Sequence, residues 1–242
     1  MTETPSKHKR SPVVTRRYDG MDAAERRRER QRKLIAAGLE LFGTRGYHLT
    51  TVRDLCGEAA LTERYFYESF KTTGELFDAV YAELRGQLQQ RVMAAVIEQG
   101  LHNPNAMALG EGSLRAWYVY LQEDPRRARV MLVDAVSVSD TGMRGAEAAI
   151  HEFAGMLRTF VSMLYPDVSK IGFDLDMIVA GLAGSTIYTA KAWVWSGFKL
   201  PLDDILKHNM MLFKSVDLLY QKLVTQDSSA PVVAAKKTRA KR

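Results

Sequence analysis

TVRDLCGEAALTERYFYESF, residues 51–70 of a 242-residue chain, is the stretch that decides the fold. It predicts two short helices joined by a tight turn. Thr51 is placed to cap the first helix, with Asp54 three residues on to close a capping box. Leu55, Ala59 and Leu61 supply small apolar contacts between the helices. Ala60 falls at the turn, where left-handed backbone without glycine costs about 1 kcal/mol. Thr62 is the N-cap of the second helix. Phe66 and Phe70, four residues apart, face inward, so Glu63, Arg64, Tyr65 and Tyr67 face outward or flank that face. A helix-turn-helix of this kind sets its second helix in the major groove of DNA.

Upstream, a helix is predicted over 23–42. Its start is highly charged, and Leu34, Ile35, Leu39 and Phe42 form an apolar stripe that Gly43 and Gly46 are expected to end. Downstream, Thr72 and Glu75 make a second capping box, and a long helix is expected over 75–99. Residues 101–112, with Pro104 and two glycines, read as a loop or broken helix. Leu114, Trp117, Tyr118 and Leu121 mark the next helix, and Asp124-Pro125 starts another. A further helix ends near Tyr165-Pro166. Two more are expected over 174–195 and 202–224. No strand alternation is convincing, so the chain reads as all-α.

The formal net charge is +6, and its placement matters more than its size. Residues 1–33 carry +6, residues 226–242 carry +4, and the body between them is −4. A mildly acidic body with two basic ends suits a nucleic-acid binder with flexible arms. Within 34–70 three arginines face five acids, so the arms are expected to supply much of the salt-dependent affinity. The single cysteine, Cys56, excludes an internal disulfide and a Cys-based zinc cluster. No run of eighteen apolar residues is present and the N-terminus has no apolar signal core, so a cytoplasmic protein without a membrane partner is expected. The five histidines are scattered, and neither a phosphate loop nor a nucleophile elbow is found, so no enzyme and no cofactor is expected.

Residues 31–80 resemble the DNA-binding domain of the TetR-type transcriptional repressors, most specifically in Tyr67-Glu68-Ser69-Phe70 followed by Lys71 to Leu76. The chain departs from that pattern at four places: Ala60 for a usual Gly, Cys56 for Ala, Arg64 for Gly, and Thr73 for a phosphate-binding Lys that Lys71 is near enough to replace. The resemblance implies an N-terminal three-helix helix-turn-helix DNA-binding domain over 23–72. A larger helical ligand-binding and dimerisation domain over 73–225 follows, between a disordered basic arm, 1–22, and a basic tail, 226–242. It implies a homodimeric regulator that binds a palindromic double-stranded DNA operator and is released by a small-molecule effector. The last two helices would pair with their symmetry mates. Periodicity alone assigns those helices equally to a monomer core.

Phosphate contacts are expected from Thr51, Tyr67 and Lys71, assisted by Thr50 and Thr62. Base contacts are expected from Arg64 and Tyr65. Glu63 is either a partner of a cytosine amino group or a first-turn acid favoured by the helix dipole. Arg16 and Arg17 are candidates for the minor groove. For an apolar or aromatic effector the candidates are Trp117, Tyr118, Met131, Phe160, Tyr188 and Trp193, each with plain core packing as the competing reading. A helical carrier or scaffold without specific DNA binding is the alternative function. The fold does not decide between repressor and activator.

Overall fold

The computed structural model describes residues 22–102, 105–135, 151, 154, 155, 157–159, 161, 162, 165 and 172–227. Every element among them is helical. In chain order these are α1 (Ala23–Thr44), a 3-10 turn (Tyr47–Leu49), α2 (Val52–Glu58), α3 (Glu63–Ser69), α4 (Thr73–His102), α5 (Ala106–Glu123) and α6 (Pro125–Ala128). A π-helical turn (Arg129–Asp134), α7 (Leu175–Trp195) and α8 (Leu202–Asp227) complete the set. Arg16, Arg17 and Phe160, the arm, the tail and most of the helix expected before Tyr165 lie outside the described residues.

One apolar core runs from α1 into α7 and α8. Leu34, Leu41 and Phe42 of α1 are buried with Leu55 of α2, Phe66 of α3 and Leu76, Phe77 and Val80 of α4. The Phe42 and Phe77 rings sit 5.6 Å apart, with Tyr47 edge-on to Phe77 at 5.4 Å. Burying each such side chain contributes roughly 1.5–3 kcal/mol. The first turns of α4 therefore belong to the N-terminal core, while Leu84 and Leu88 further along it pack with α5. Tyr120 of α5 donates its hydroxyl to the Leu84 carbonyl at 3.0 Å. A second, smaller cluster joins Val161 and Tyr165 to Val179 of α7 and Tyr220 of α8, and Tyr165 donates to Asp217 at 2.9 Å.

Two expectations are corrected here. Gly43 does not end α1, which runs on to Thr44. Its role is close packing: a Cβ built there would lie 2.8 Å from the Arg126 Cα of α6 and closer still to its side chain. Nor do the described residues of 101–112 form a loop. α4 reaches His102, Asn105 caps α5 by accepting from the Met107 N–H at 2.8 Å, and Gly110 and Gly112 lie inside α5. Gly112 lies against α4, where a Cβ built on it would sit 3.7 Å from Gln99.

α6 and the π-helical turn grip the end of α1. Asp124 caps α6 with Pro125 in its first turn, as expected. Arg126 pairs with both Asp124 and Glu40 of α1. Arg129 donates to the Thr44 and Arg45 carbonyls at 2.9 and 3.1 Å, which satisfies groups the helix end leaves open. Asp134, buried, accepts the Tyr47 N–H at 3.1 Å. Burial pushes its carboxyl up, opposed by that N–H and by Arg129 and His48. Gly46, at φ 97°, makes the bend these contacts require.

Replacing Gly43 by Ala is expected to destabilise the chain by about 1–3 kcal/mol through overpacking against α6. Urea unfolding followed by circular dichroism measures this, and an unchanged midpoint would refute the close-packing role of Gly43.

Candidate nucleic-acid interface

The helix-turn-helix is built locally as its sequence requires. Thr51 accepts from the Asp54 N–H at 3.2 Å and donates its hydroxyl to the Asp54 carboxylate at 2.6 Å, while its own N–H donates to that carboxylate at 3.0 Å. These bonds hold the Asp54 carboxyl below its ordinary range, the Thr51 hydroxyl first and Arg45 and Arg53 adding less. A carboxyl with a lowered folded pKa stabilises above its unfolded pKa, so the box is lost as pH falls through the lowered value. Ala60 has φ 52°, the left-handed turn expected of it. Phe66 is fully buried and Phe70 nearly so, which turns the other face of α3 outward.

On that face Glu63, Arg64, Tyr65 and Tyr67 are all exposed. The Arg64 side chain is 84% exposed and its Nε donates to Glu68 at 3.1 Å. Tyr65 lies beneath the Arg30 guanidinium of α1, 4.6 Å from ring centroid to Cζ. Tyr67 stands edge-on to Phe66 at 5.4 Å with its outer part free to solvent. Thr62 occupies the N-cap position without a side-chain cap bond, which leaves its hydroxyl outward. Lys71 is exposed just beyond α3, and its backbone N–H donates to Glu75 at 2.7 Å. Glu75 in turn donates its N–H to the Thr72 hydroxyl at 3.1 Å, so the second capping arrangement spans 71–75.

Thr50 is placed differently. It is buried, and its hydroxyl donates to the Gly46 carbonyl at 2.8 Å. That bond ties the turn between α1 and α2 and turns the hydroxyl away from solvent. Two residues that sequence reasoning passed over join the face from α1. Arg30 lies over Tyr65 and 3.7 Å from the Glu68 carboxylate, and Arg27 donates to the Glu68 carbonyl at 3.4 Å. The Arg64–Glu68 pair was readable from its spacing of four; the contacts from α1 join residues some forty apart and left no local signal.

The effector candidates divide. Trp117, Tyr118, Met131 and Trp193 are buried in the main core, with Tyr118 and Trp193 edge-on at 5.6 Å. Among the described residues the buried Tyr118 hydroxyl has no hydrogen-bond partner, and burial pushes its pKa well up. Tyr188 stands apart: it is 69% exposed, on the opposite face of α7. An open groove of about 370 Å³ lies elsewhere, between α4 and α5, where Arg91 and Arg127 flank Tyr120. Among the described residues no helix is long and apolar enough to cross a membrane.

Residues 34–80 match the family model described as bacterial regulatory proteins, tetR family. No curated protein sequence matches the chain. Among solved structures, a putative transcriptional regulator from Pseudomonas aeruginosa PAO1 aligns with a TM-score of 0.69 at 14% identity, over 86% of this chain and 98% of that one. The fatty acid degradation regulator FadR from Bacillus halodurans aligns with a TM-score of 0.66 at 13% identity, over 76% and 93%. The regulator FadR from Bacillus subtilis, solved in complex with stearoyl-CoA, aligns with a TM-score of 0.64 at 17% identity, over 75% and 96%.

Replacing Ala60 by Gly is expected to stabilise the chain by about 0.5–1 kcal/mol, because glycine removes the left-handed strain at φ 52°. Thermal unfolding tests it; a lowered melting temperature would mean that the Ala60 methyl holds the turn.

Proposed function

We propose, starting from the tetR-family DNA-binding domain that this chain carries at residues 34–80, that the protein is a cytoplasmic, homodimeric repressor released from a palindromic operator by a small apolar effector. The exposed face of α3 carries the reading: a short helix anchored by buried Phe66 and Phe70 and flanked by the capped starts of α2 and α4, with Arg64, Tyr65 and Tyr67 projecting from it. Arg64 reads a guanine through its O6 and N7, Tyr65 makes a second base contact, and Glu63 flanks them. Thr51, Thr62, Tyr67 and Lys71 hold phosphates. Arg16 and Arg17 extend the interface into the minor groove. Thr50 serves this face indirectly, by bracing the turn before Thr51.

One recognition helix reads too few base pairs to select a genomic site. A two-fold dimer sets two of them about 34–36 Å apart. The observation that favours this is a row of exposed apolar and small residues on α7, Met177, Gly181, Gly184, Tyr188 and Trp195, continued on α8 by Met211 and Leu218. Among the described residues, outside the backbone of α7 itself, nothing lies within 4 Å of a Cβ built at Gly181 or Gly184, which leaves room for a partner helix to approach closely. A patch of this extent marks an association surface. Tyr188 belongs to this surface, and the effector contacts fall to Trp117, Tyr118, Met131 and Trp193. The unpartnered Tyr118 hydroxyl suits an effector with an acceptor on an apolar body. A long-chain acyl thioester is the first candidate, because the similar Bacillus subtilis regulator was solved with stearoyl-CoA.

Duplexes selected from a random pool at about 150 mM salt, where non-specific binding is weak, test the DNA reading. The wild type is expected to enrich a near-palindrome. Tyr67→Ala should weaken binding to all sequences alike. Arg64→Ala should remove about 1–3 kcal/mol of discrimination at one base pair per half-site. No enrichment by the wild type would leave the carrier or scaffold reading. Gly184→Arg, at a position where a Cβ meets none of the described residues within 4 Å, should leave folding intact but convert the dimer to a monomer in sedimentation velocity; a dimer that persists would move the interface elsewhere.

A further inference from the structure

We propose that Glu68 is a positioning residue that orders Arg64 and Tyr65 before DNA is met and thereby sets sequence selectivity. The inference rests on base reading by Arg64 and Tyr65. Glu68 lies in the last turn of α3 with its side chain 39% exposed. One carboxylate oxygen accepts from Arg64 Nε at 3.1 Å, and the other lies 3.7 Å from the Arg30 guanidinium. Arg30 covers the Tyr65 ring at 4.6 Å, and its buried Nε has no partner among the described residues. Arg27 donates to the Glu68 backbone carbonyl at 3.4 Å. A single carboxylate thus links two side chains of the outward face to α1.

An exposed pair four residues apart on a helix adds little to stability. Its effect is on order. An arginine as exposed as Arg64 samples many rotamers, and binding a base must suppress them. Pairing through Nε removes part of that freedom beforehand and leaves both terminal nitrogens available to a guanine edge. Glu68 also carries a negative charge on a face that meets phosphates, so it weakens binding to every duplex. Selectivity and general affinity therefore respond to Glu68 with opposite signs, a signature that a simple tie between α1 and α3 does not produce.

The test runs the full chain, with Arg64→Ala, Glu68→Gln and Glu68→Asp, through the same selection and through thermal unfolding. Arg64→Ala identifies the base pair that Arg64 reads. Glu68→Gln is expected to reduce the preference at that pair by roughly 3- to 10-fold while strengthening binding to unrelated duplexes. Glu68→Asp keeps the charge but is one methylene shorter, so it should reduce the preference without strengthening unrelated binding. An unchanged preference at that pair in both Glu68 variants overturns the proposal, as does a uniform loss of affinity or the unfolding of both. Failure of the wild type to enrich any sequence, or of Arg64→Ala to alter any base pair, would instead defeat the base-reading role on which the proposal rests.

Discussion

The close approach of α1 to α6 at Gly43 is the constraint on which the rest depends. With no side chain at that position, the Arg126 backbone comes within van der Waals reach of α1, and Glu40, Arg126 and Asp124 form a charged bridge beside it. Arg129 then closes the open carbonyls at the end of α1, and Asp134 takes the N–H of the turn that follows. These are hydrogen bonds to charged groups, the stronger kind, and they converge on four residues of backbone. α2 and α3 pack on the other side of α1, through Leu55 and Phe66. The direction in which α3 points therefore depends, through α1, on contacts with the segment after α5.

This arrangement gives the π-helical turn a place in the chain of effects. A π-helical turn is a costly irregularity that tends to occur where function requires it. Here it connects Met131, buried among the candidate effector contacts, to Arg129 and Asp134, which hold the α1–α2 turn. A packed core does not deform continuously, so a ligand that displaces Met131 must move the grip as a unit or leave it alone.

What the sequence made legible was local. The capping box at Thr51, the left-handed Ala60, the helix start at Asp124-Pro125 and the inward Phe66 and Phe70 each follow from residues within four positions of one another. What it hid was tertiary. Gly43 reads as a helix end because glycine is a poor helix former, yet the approach of α6 from more than eighty residues away is what requires it. Gly110 and Gly112 gave the same false signal inside α5. An aromatic residue at helical spacing carries no mark of which face is covered, so Tyr188 was grouped with Trp193 although they stand on opposite sides of α7. Arg27 and Arg30 looked like part of a uniform basic run; only the fold selects them to lie against α3.

The electrostatics of the interface follow from the same geometry. Residues 34–70 carry more acid than base, so attraction to DNA cannot come from the recognition unit alone. Arg27 and Arg30 bring positive charge to its edge from α1, and Glu68 partly neutralises it. A face with strong net positive charge would bind any duplex, and the phosphate term would outweigh the few base contacts that distinguish one sequence from another. In the proposed regulator, a face with nearly balanced charge would leave affinity to the basic ends of the chain and discrimination to α3. Separating the two in this way lets each base contact count for a larger share of the difference between a correct and an incorrect site.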